Sequence, residues 1–232
     1  MEGAYERYGR DLVALIPVYE PGPQLPPLVS ALSRRFSRVV VVNDGSTRGL
    51  VHFEVIRPLV ETILSHPINR GKGAAIKTAL AYLGDSADIV TVDADGQHAI
   101  EDVVRVADAL KEHRSGLILG VRDLRLGRVP FRSWWGNAWM ALILRVLTGR
   151  RFADTQTGLR AIPASLVPTI QKLPGNRYDL ELMMLAGTRR FKWTIYEVPI
   201  NTIYTPGNAT SHFSPIRDSL RNFRTLISWN MV

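Results

Sequence analysis

Asp93 and Asp95 stand two residues apart, directly after the apolar run 88–92. On an extended segment residues i and i+2 point to the same side. Both carboxylates therefore face one way and, with no local Lys or Arg to pair them, repel each other unless a cation sits between. Mg²⁺ or Mn²⁺, held by one or two carboxylates plus substrate phosphates, meets that need, and Gln97 is placed to add an amide oxygen. Asp-x-Asp alone is common on solvated turns. Its position straight after a buried strand is what points to a metal.

Two further polar groups have chemical potential. Asn43-Asp44-Gly45-Ser46 follows four valines; it makes a good turn, and Asp44 could equally accept hydrogen bonds from a base or ribose. Asn69-Arg70-Gly71-Lys72-Gly73 precedes a helical pattern, where glycines let backbone N–H groups and Lys72 approach a phosphate. The segment is not a P-loop. Nor is it the G-x-G-x-x-G fingerprint, because Ile76 takes the last glycine's place, which weighs against nicotinamide cofactors and kinase-like use of ATP.

The elements that must position these groups are legible as short apolar runs at 12–16, 39–42, 61–65, 88–92 and 117–120, separated by helical periodicity over 24–36, 73–83 and 100–113. Continuous Val/Ile runs alternating with helices predict an α/β fold, a mostly parallel central sheet flanked by helices with right-handed crossovers. Ligands in such sheets bind beyond the carboxyl ends of the strands. The polar sets at 17–20, 43–46 and 93–95 would all lie on that edge. After residue 120 the rhythm breaks: 121–133 reads as loop, followed by mixed helices and short strands, with no repeat and no linker. A single domain over 1–232 is expected, divided into halves at 120.

With 232 residues and 46% hydrophobic content the chain can bury a substantial core. It has no cysteine, which excludes disulfides, thiolate metal sites and cysteine nucleophiles. Its five histidines show no H-x-x-x-H spacing, so a metal would take oxygen ligands. Residues 1–116 carry 13 Lys/Arg and 15 Asp/Glu, net −2, whereas 117–232 carry 16 and 6, net +10. That asymmetry suggests a polyanionic partner for the second half: nucleic acid, a phosphorylated substrate or an anionic membrane. No secretory leader is read in the first eleven residues. The greasiest stretch, 134–149, is about 24 Å long as a helix, too short to span a bilayer. It reads either as a core helix or as an interfacial one whose arginines reach headgroups. A last helix opens at Ser214-Pro215 with Ile216, Leu220, Phe223 and Ile227 on one stripe and Arg217, Arg221 and Arg224 beside it, suited either to membrane docking or to packing with a solvated basic face.

Taken together, 16–22, 39–46, 69–78, 88–98, 119–123 and 154–162 resemble, in order and spacing, the family-two glycosyltransferases of the glycosyltransferase A fold. The similarity is greatest to their polyprenyl-phosphate (dolichyl-phosphate) sugar synthase branch, whose closing segment 204–221 resembles. The resemblance covers some two-thirds of the chain. It departs at Glu20-Pro21, where the family usually reads Asn-Glu, so a base contact through Glu20 requires a register shifted by one residue.

The resemblance implies a Rossmann-like nucleotide half (1–120) and an acceptor-binding, membrane-facing half (121–232). Pro17, Tyr19, Glu20, Asp44 and Lys72 would hold a UDP- or GDP-linked sugar, with Asp93, Asp95 and Gln97 on the Mg²⁺ or Mn²⁺. Arg122, Arg132, Ser133, Gln156 and Arg160 would meet acceptor or donor phosphates, and Asp154 would position the acceptor or sugar. Asp93, Asp95, Asp154, Arg122 and Arg132 would make up the catalytic set. Bidentate guanidinium contacts suit phosphate, although each arginine taken singly also reads as a solvated surface charge. Glu181 would serve the sugar pocket or face water. The implied reaction is inverting transfer of one sugar to a polyprenyl phosphate at the cytoplasmic membrane face, by a peripheral protein or the soluble part of a membrane-anchored one, since relatives often continue into transmembrane helices where this chain ends. A hydroxyl acceptor, needing a true base, and a noncatalytic sugar-nucleotide or nucleic-acid module are the alternatives. No nucleic-acid motif is present, so no nucleic-acid partner is expected; oligomeric state is left open.

Overall fold

Val39 to Val42 are each at most 2% exposed, and their side chains alternate between two cores: Val40 and Val42 on one face of a sheet, Val39 and Val41 on the other. Such two-sided burial is why this strand reads as an unbroken apolar run. A computed structural model of the chain describes residues 7–123 and 131–201, together with 225, 226, 228 and 229.

Seven strands form one sheet: β1 (Tyr8–Val18), β2 (Phe36–Asn43), β3 (Thr62–Ser65), β4 (Asp88–Thr91), β5 (Gly116–Arg122), β6 (Arg160–Ile162) and β7 (Thr194–Ile200). Their order is β3-β2-β1-β4-β6-β5-β7. The first four are mutually parallel and β5 is parallel to β7, while β6 runs against both β4 and β5. The mostly parallel α/β expectation holds, with β6 and β7 added to the five strands legible as apolar runs.

One face of the sheet is covered by α1 (Leu25–Arg35), α2 (Leu50–Ile56) and α4 (Ile100–Glu112), which bury residues such as Val29, Phe53 and Val106. The other is covered by α3 (Lys72–Leu83), α5 (Phe131–Thr148), α6 (Val167–Gln171) and α7 (Asp179–Phe191), through Ile76, Leu144, Ile170 and Leu182. Proline occupies the first turn of α1, where its missing N–H costs nothing. In α4, Glu101 and Asp102 in the first turn and Lys111 in the last complement the helix dipole. Fully burying a Val or Leu contributes roughly 1.5–3 kcal/mol, so the valines of β2 alone outweigh any single surface contact.

Chain direction fixes where the site can be. From β1 the chain passes through α1 to β2 on one side, whereas β4 pairs with β1 on the other. The sheet therefore switches direction between β1 and β4, the crevice where open α/β sheets take ligands. Residues 17–20 and 93–95 flank it, and 43–46 sits one strand away. Met140 and Leu144 of α5 are buried, as the core-helix reading expects, while Trp139, Leu142 and Val146 are exposed. The helix expected from Ser214 lies outside the described residues except at its end. Among the described residues no helix is long and apolar enough to cross a membrane.

Candidate active site

Asp44, at the end of β2, is 2% exposed. Its carboxylate accepts the backbone N–H of Arg70 at 2.9 Å and of Gly71 at 2.7 Å, and lies 2.6 Å from His66 Nδ1, whose Nε2 is 2.8 Å from the Thr78 hydroxyl. The residue expected to face a base or ribose thus fastens the 69–73 loop to the sheet edge. Gly71 needs its missing Cβ twice over: φ is +102°, and a methyl there would meet Asn176 O at 2.5 Å.

Glu20 has a comparable task in the neighbouring turn. With φ +51° it is a non-glycine residue in left-handed space. Its carboxylate accepts from Thr47 N and Oγ1 and from Arg48 N and Nε at 2.8–3.0 Å. The Thr47 backbone N–H is the largest cause holding its carboxyl below the ordinary carboxylate range. Pro17 is buried within β1, whereas Tyr19 is 37% exposed at the strand's end.

At the switch point the expectation of two carboxylates without a basic partner is corrected. Lys72, 21 residues earlier on the first turn of α3, puts Nζ 2.6 Å from Asp93 Oδ1 and 2.7 Å from Glu181 Oε1. Burial disfavours this ammonium, but the two carboxylates more than offset it, so its pKa is raised above the ordinary lysine value. Asp93 likewise pays for burial, yet Lys72 and then His98, whose Nε2 is 3.7 Å from Oδ2, hold its carboxyl far below the usual range. Asp95 moves the other way: burial, then the charge of Asp93, pushes its carboxyl up, and Oδ1 accepts the Gln97 N–H at 3.0 Å. Lys72 and His98 thus act chiefly on Asp93, while burial and the Asp93 charge dominate at Asp95. Glu181, at 4% exposed, does not face water.

The 154–160 segment closes one side. Asp154 is fully buried and takes a two-pronged contact from Arg122, Nε to Oδ2 at 2.6 Å and Nη2 to Oδ1 at 3.0 Å, while Gln156 N donates to Oδ1. Asn137 of α5 pins the same stretch by accepting from Thr155 N and Oγ1, both at 2.8 Å. Gly158 lies against Asp93 so tightly that a Cβ would overlap the carboxylate, and Thr91 Oγ1 donates to its carbonyl at 2.8 Å. Arg160, expected on a phosphate, is an interior side chain at 1% exposure. It donates to Thr157 O at 2.9 Å and Glu181 O at 2.6 Å, and burial lowers its pKa. Arg132 and Ser133 fall on the first turn of α5, their side chains outside the described residues.

The model of the family described as glycosyl transferase family 2 matches residues 13–162. The chain belongs to that family. It is 30% identical over 217 residues to the UDP-N-acetylglucosamine–dolichyl-phosphate N-acetylglucosaminyltransferase of Methanococcus voltae, across 82% of this chain and 85% of that one. To the undecaprenyl-phosphate mannosyltransferase of Micrococcus luteus it is 26% identical over 208 residues, 83% of each. Among solved structures it is similar to glucosyl-3-phosphoglycerate synthase from Mycobacterium tuberculosis in complex with Mn²⁺, UDP and phosphoglyceric acid. The TM-score is 0.72 at 18% identity, covering 96% of this chain and 79% of that one. The fold is accordingly the glycosyltransferase A arrangement, and the relatives match the polyprenyl-phosphate branch that the motifs resemble.

In this family 2 glycosyltransferase several residues that build the site went unread in the sequence. His66 has no spacing to mark it, and His98 stands only as the end of the 88–98 stretch that resembles the family. Asn137 lies within an apolar helix, where a single amide was the available signal. The partnership of Lys72 with Glu181 spans 109 residues and leaves no local trace.

Proposed function

We propose that this glycosyltransferase moves a single sugar, with inversion, from a UDP- or GDP-linked donor to a polyprenyl phosphate at the cytoplasmic face of the membrane. The observation that carries the reading is the carboxylate pair Asp93 and Asp95 in the loop after β4, at the switch point between β1 and β4. The acceptor class is supported by the names of the relatives, which act on dolichyl or undecaprenyl phosphate. In this reading residues 1–120 bind the donor and 121–232 the acceptor, as parts of one domain.

The donor set suits Mg²⁺ or Mn²⁺. Asp93, Asp95 and Gln97 offer oxygen only, as hard cations require. Among the described residues no three His, Cys, Asp or Glu gather to hold a metal unaided, so the substrate diphosphate would complete the shell. Bound there, a divalent ion would neutralise charge on the departing nucleoside diphosphate. Pro17 and Tyr19 border the donor crevice. Glu20 and Asp44 act one step back, rigidifying the 46–48 and 69–73 loops that meet the nucleotide, and Lys72 keeps Asp93 ionised and aimed.

A phosphate monoester has a second pKa of about 6 and is largely dianionic at neutral pH. Its oxygen attacks the anomeric carbon as the nucleoside diphosphate leaves, with no proton to remove. The chain then needs cationic grip more than a base, which suits Arg122, Arg132, Ser133 and Gln156 near the acceptor. Asp154, with both oxygens on Arg122, orients that guanidinium; Arg160 reads as an interior brace. Radiolabelled transfer from UDP- and GDP-sugars to undecaprenyl and dolichyl phosphate, with Mg²⁺ or Mn²⁺ and with EDTA, tests the proposal. A lipid-linked product lost with EDTA is expected, and no such product from any common donor would reject it.

A further inference from the structure

His66 is the first residue after β3 and is 7% exposed. Its backbone N–H donates to Asn43 O at 2.9 Å, which sets the imidazole beside Asp44 at the end of β2. A polar ring taken out of water needs hydrogen bonds that an apolar side chain in the same place would not. Both ring nitrogens have them: Nδ1 lies 2.6 Å from Asp44 Oδ1, and Nε2 lies 2.8 Å from the hydroxyl of Thr78 on α3. Asp44 Oδ1 also accepts the Arg70 N–H, and Oδ2 the Gly71 N–H. The imidazole thus joins two backbone amides as a side-chain donor to one buried carboxylate. Facing an acceptor, Nδ1 carries a proton. Which ring nitrogen is protonated is set by what the other one meets, and the rotatable Thr78 hydroxyl can donate to Nε2.

We infer that His66 is a positioning residue for the nucleotide-sugar donor: as the Nδ1–H tautomer, held by Thr78, it orients the Asp44 carboxylate toward the backbone of the 69–73 loop. The inference rests on the reading that this loop meets the donor. Arg70 and Gly71, whose amides Asp44 receives, directly precede Lys72, whose Nζ reaches Asp93 at 2.6 Å. A misplaced Asp44 would therefore disturb the loop amides and the lysine together. The far side of the loop is fixed separately, Ala74 N donating to Asn176 O at 2.8 Å, so release of Asp44 would loosen residues 69–71 and leave α3 docked. Partners behind a binding group fix its geometry although they touch no ligand themselves.

Two amide substitutions separate the ring's nitrogens. Asparagine can put its side-chain nitrogen where Nδ1 stands, whereas glutamine reaches the place of Nε2 and leaves Asp44 without its donor. In calorimetric titrations with UDP and with GDP in the presence of Mn²⁺, His66→Leu and His66→Gln should bind the nucleotide that wild type binds about tenfold more weakly. His66→Asn should stay within about threefold of wild type. In steady-state transfer the loss should fall in donor KM, with acceptor KM unchanged. Hydrogen exchange at Arg70 and Gly71 should quicken in His66→Leu and His66→Gln but not in His66→Asn, with exchange at Ala74 unchanged in all three. In ¹⁵N spectra of the wild-type ring, identified as the signals that His66→Asn removes, Nδ1 should carry the proton and Nε2 should not. The opposite tautomer, a His66→Asn variant as impaired as His66→Leu, or losses that follow melting temperature instead of the nitrogen replaced would overturn the inference. Wild-type protein that binds neither nucleotide would fail the functional reading instead, with the tautomer and the exchange at Arg70 and Gly71 still deciding whether His66 holds the loop.

Discussion

Lys72 Nζ lies 2.6 Å from Asp93 Oδ1, joining the first turn of α3 to the loop after β4 at the crevice between β1 and β4. The ammonium occupies the side of Asp93 toward Glu181, so it competes with any cation for the same carboxylate. Lys72→Met should destabilise the ligand-free protein by about 2–3 kcal/mol, less than a fully buried broken pair because Asp93 keeps 28% of its side-chain surface. The same variant should gain more melting temperature from added Mn²⁺ than wild type does, since a ligand selective for the native state restores what the lysine supplied. Thermal melts with and without Mn²⁺ read both effects, and an equal Mn²⁺ increment in the two proteins would sink the idea.

Asp44 ties the 69–73 loop down through charge-assisted bonds to two backbone amides. Asp44→Asn replaces one accepting oxygen by a donor facing those N–H groups. A loss of about 1.5–3 kcal/mol is expected, the range for hydrogen bonds to a charged group. Urea titration measures it, and faster hydrogen exchange at Arg70 and Gly71 localises it. Unchanged exchange there would contradict the anchoring role.

Asp154 is held by Arg122 on both oxygens and is fully buried. If it orients the arginine instead of abstracting a proton, Asp154→Asn should keep measurable transfer to a phosphate acceptor. Its pH–rate profile should keep the wild-type shape, with the loss falling mainly in acceptor KM. Complete loss of turnover with normal folding would point to a base and a hydroxyl acceptor.

Glu61 meets Arg38 at 2.5 and 2.9 Å on partly exposed surface. The Arg38 hydrogen bond is the largest cause of its lowered pKa. A carboxyl with a depressed folded-state pKa stabilises the protein above its unfolded value of about 4.3, and that contribution is lost as pH falls through the folded value. Glu61→Gln should therefore cost about 0.5–1 kcal/mol at neutral pH, with the difference from wild type shrinking below about pH 4. A difference constant across that window would refute the assignment.

The parallel half of the fold was readable because each strand from β1 to β5 is an apolar run and each intervening long helix keeps its period. The strand β6 escaped notice for physical reasons: it is three residues long and begins with an arginine that is stable inside only because Thr157 and Glu181 carbonyls receive it. Exposure of alternate residues in β7 and the shortness of α2 hid those elements similarly. At the site, Asp93 and Asp95 stood out through local spacing. What Asp44, Arg160 and Lys72 touch depends on partners brought by the fold from 21 to 109 residues away. Residue type suggested outward-facing ligands where burial made some of them struts.

Glu181 is delivered by α7, the last long helix among the described residues, to a lysine on α3. A nascent chain can pair β1 through β4 as soon as residue 91 is free, but the second counter-ion of Lys72 arrives only once Glu181, 90 residues further on, has been made. Until then the lysine has Asp93 alone. Completion of this charge balance thus waits on α7, so that a chain stopped before that helix would carry the Asp93 edge of the sheet without the electrostatic setting that Glu181 completes.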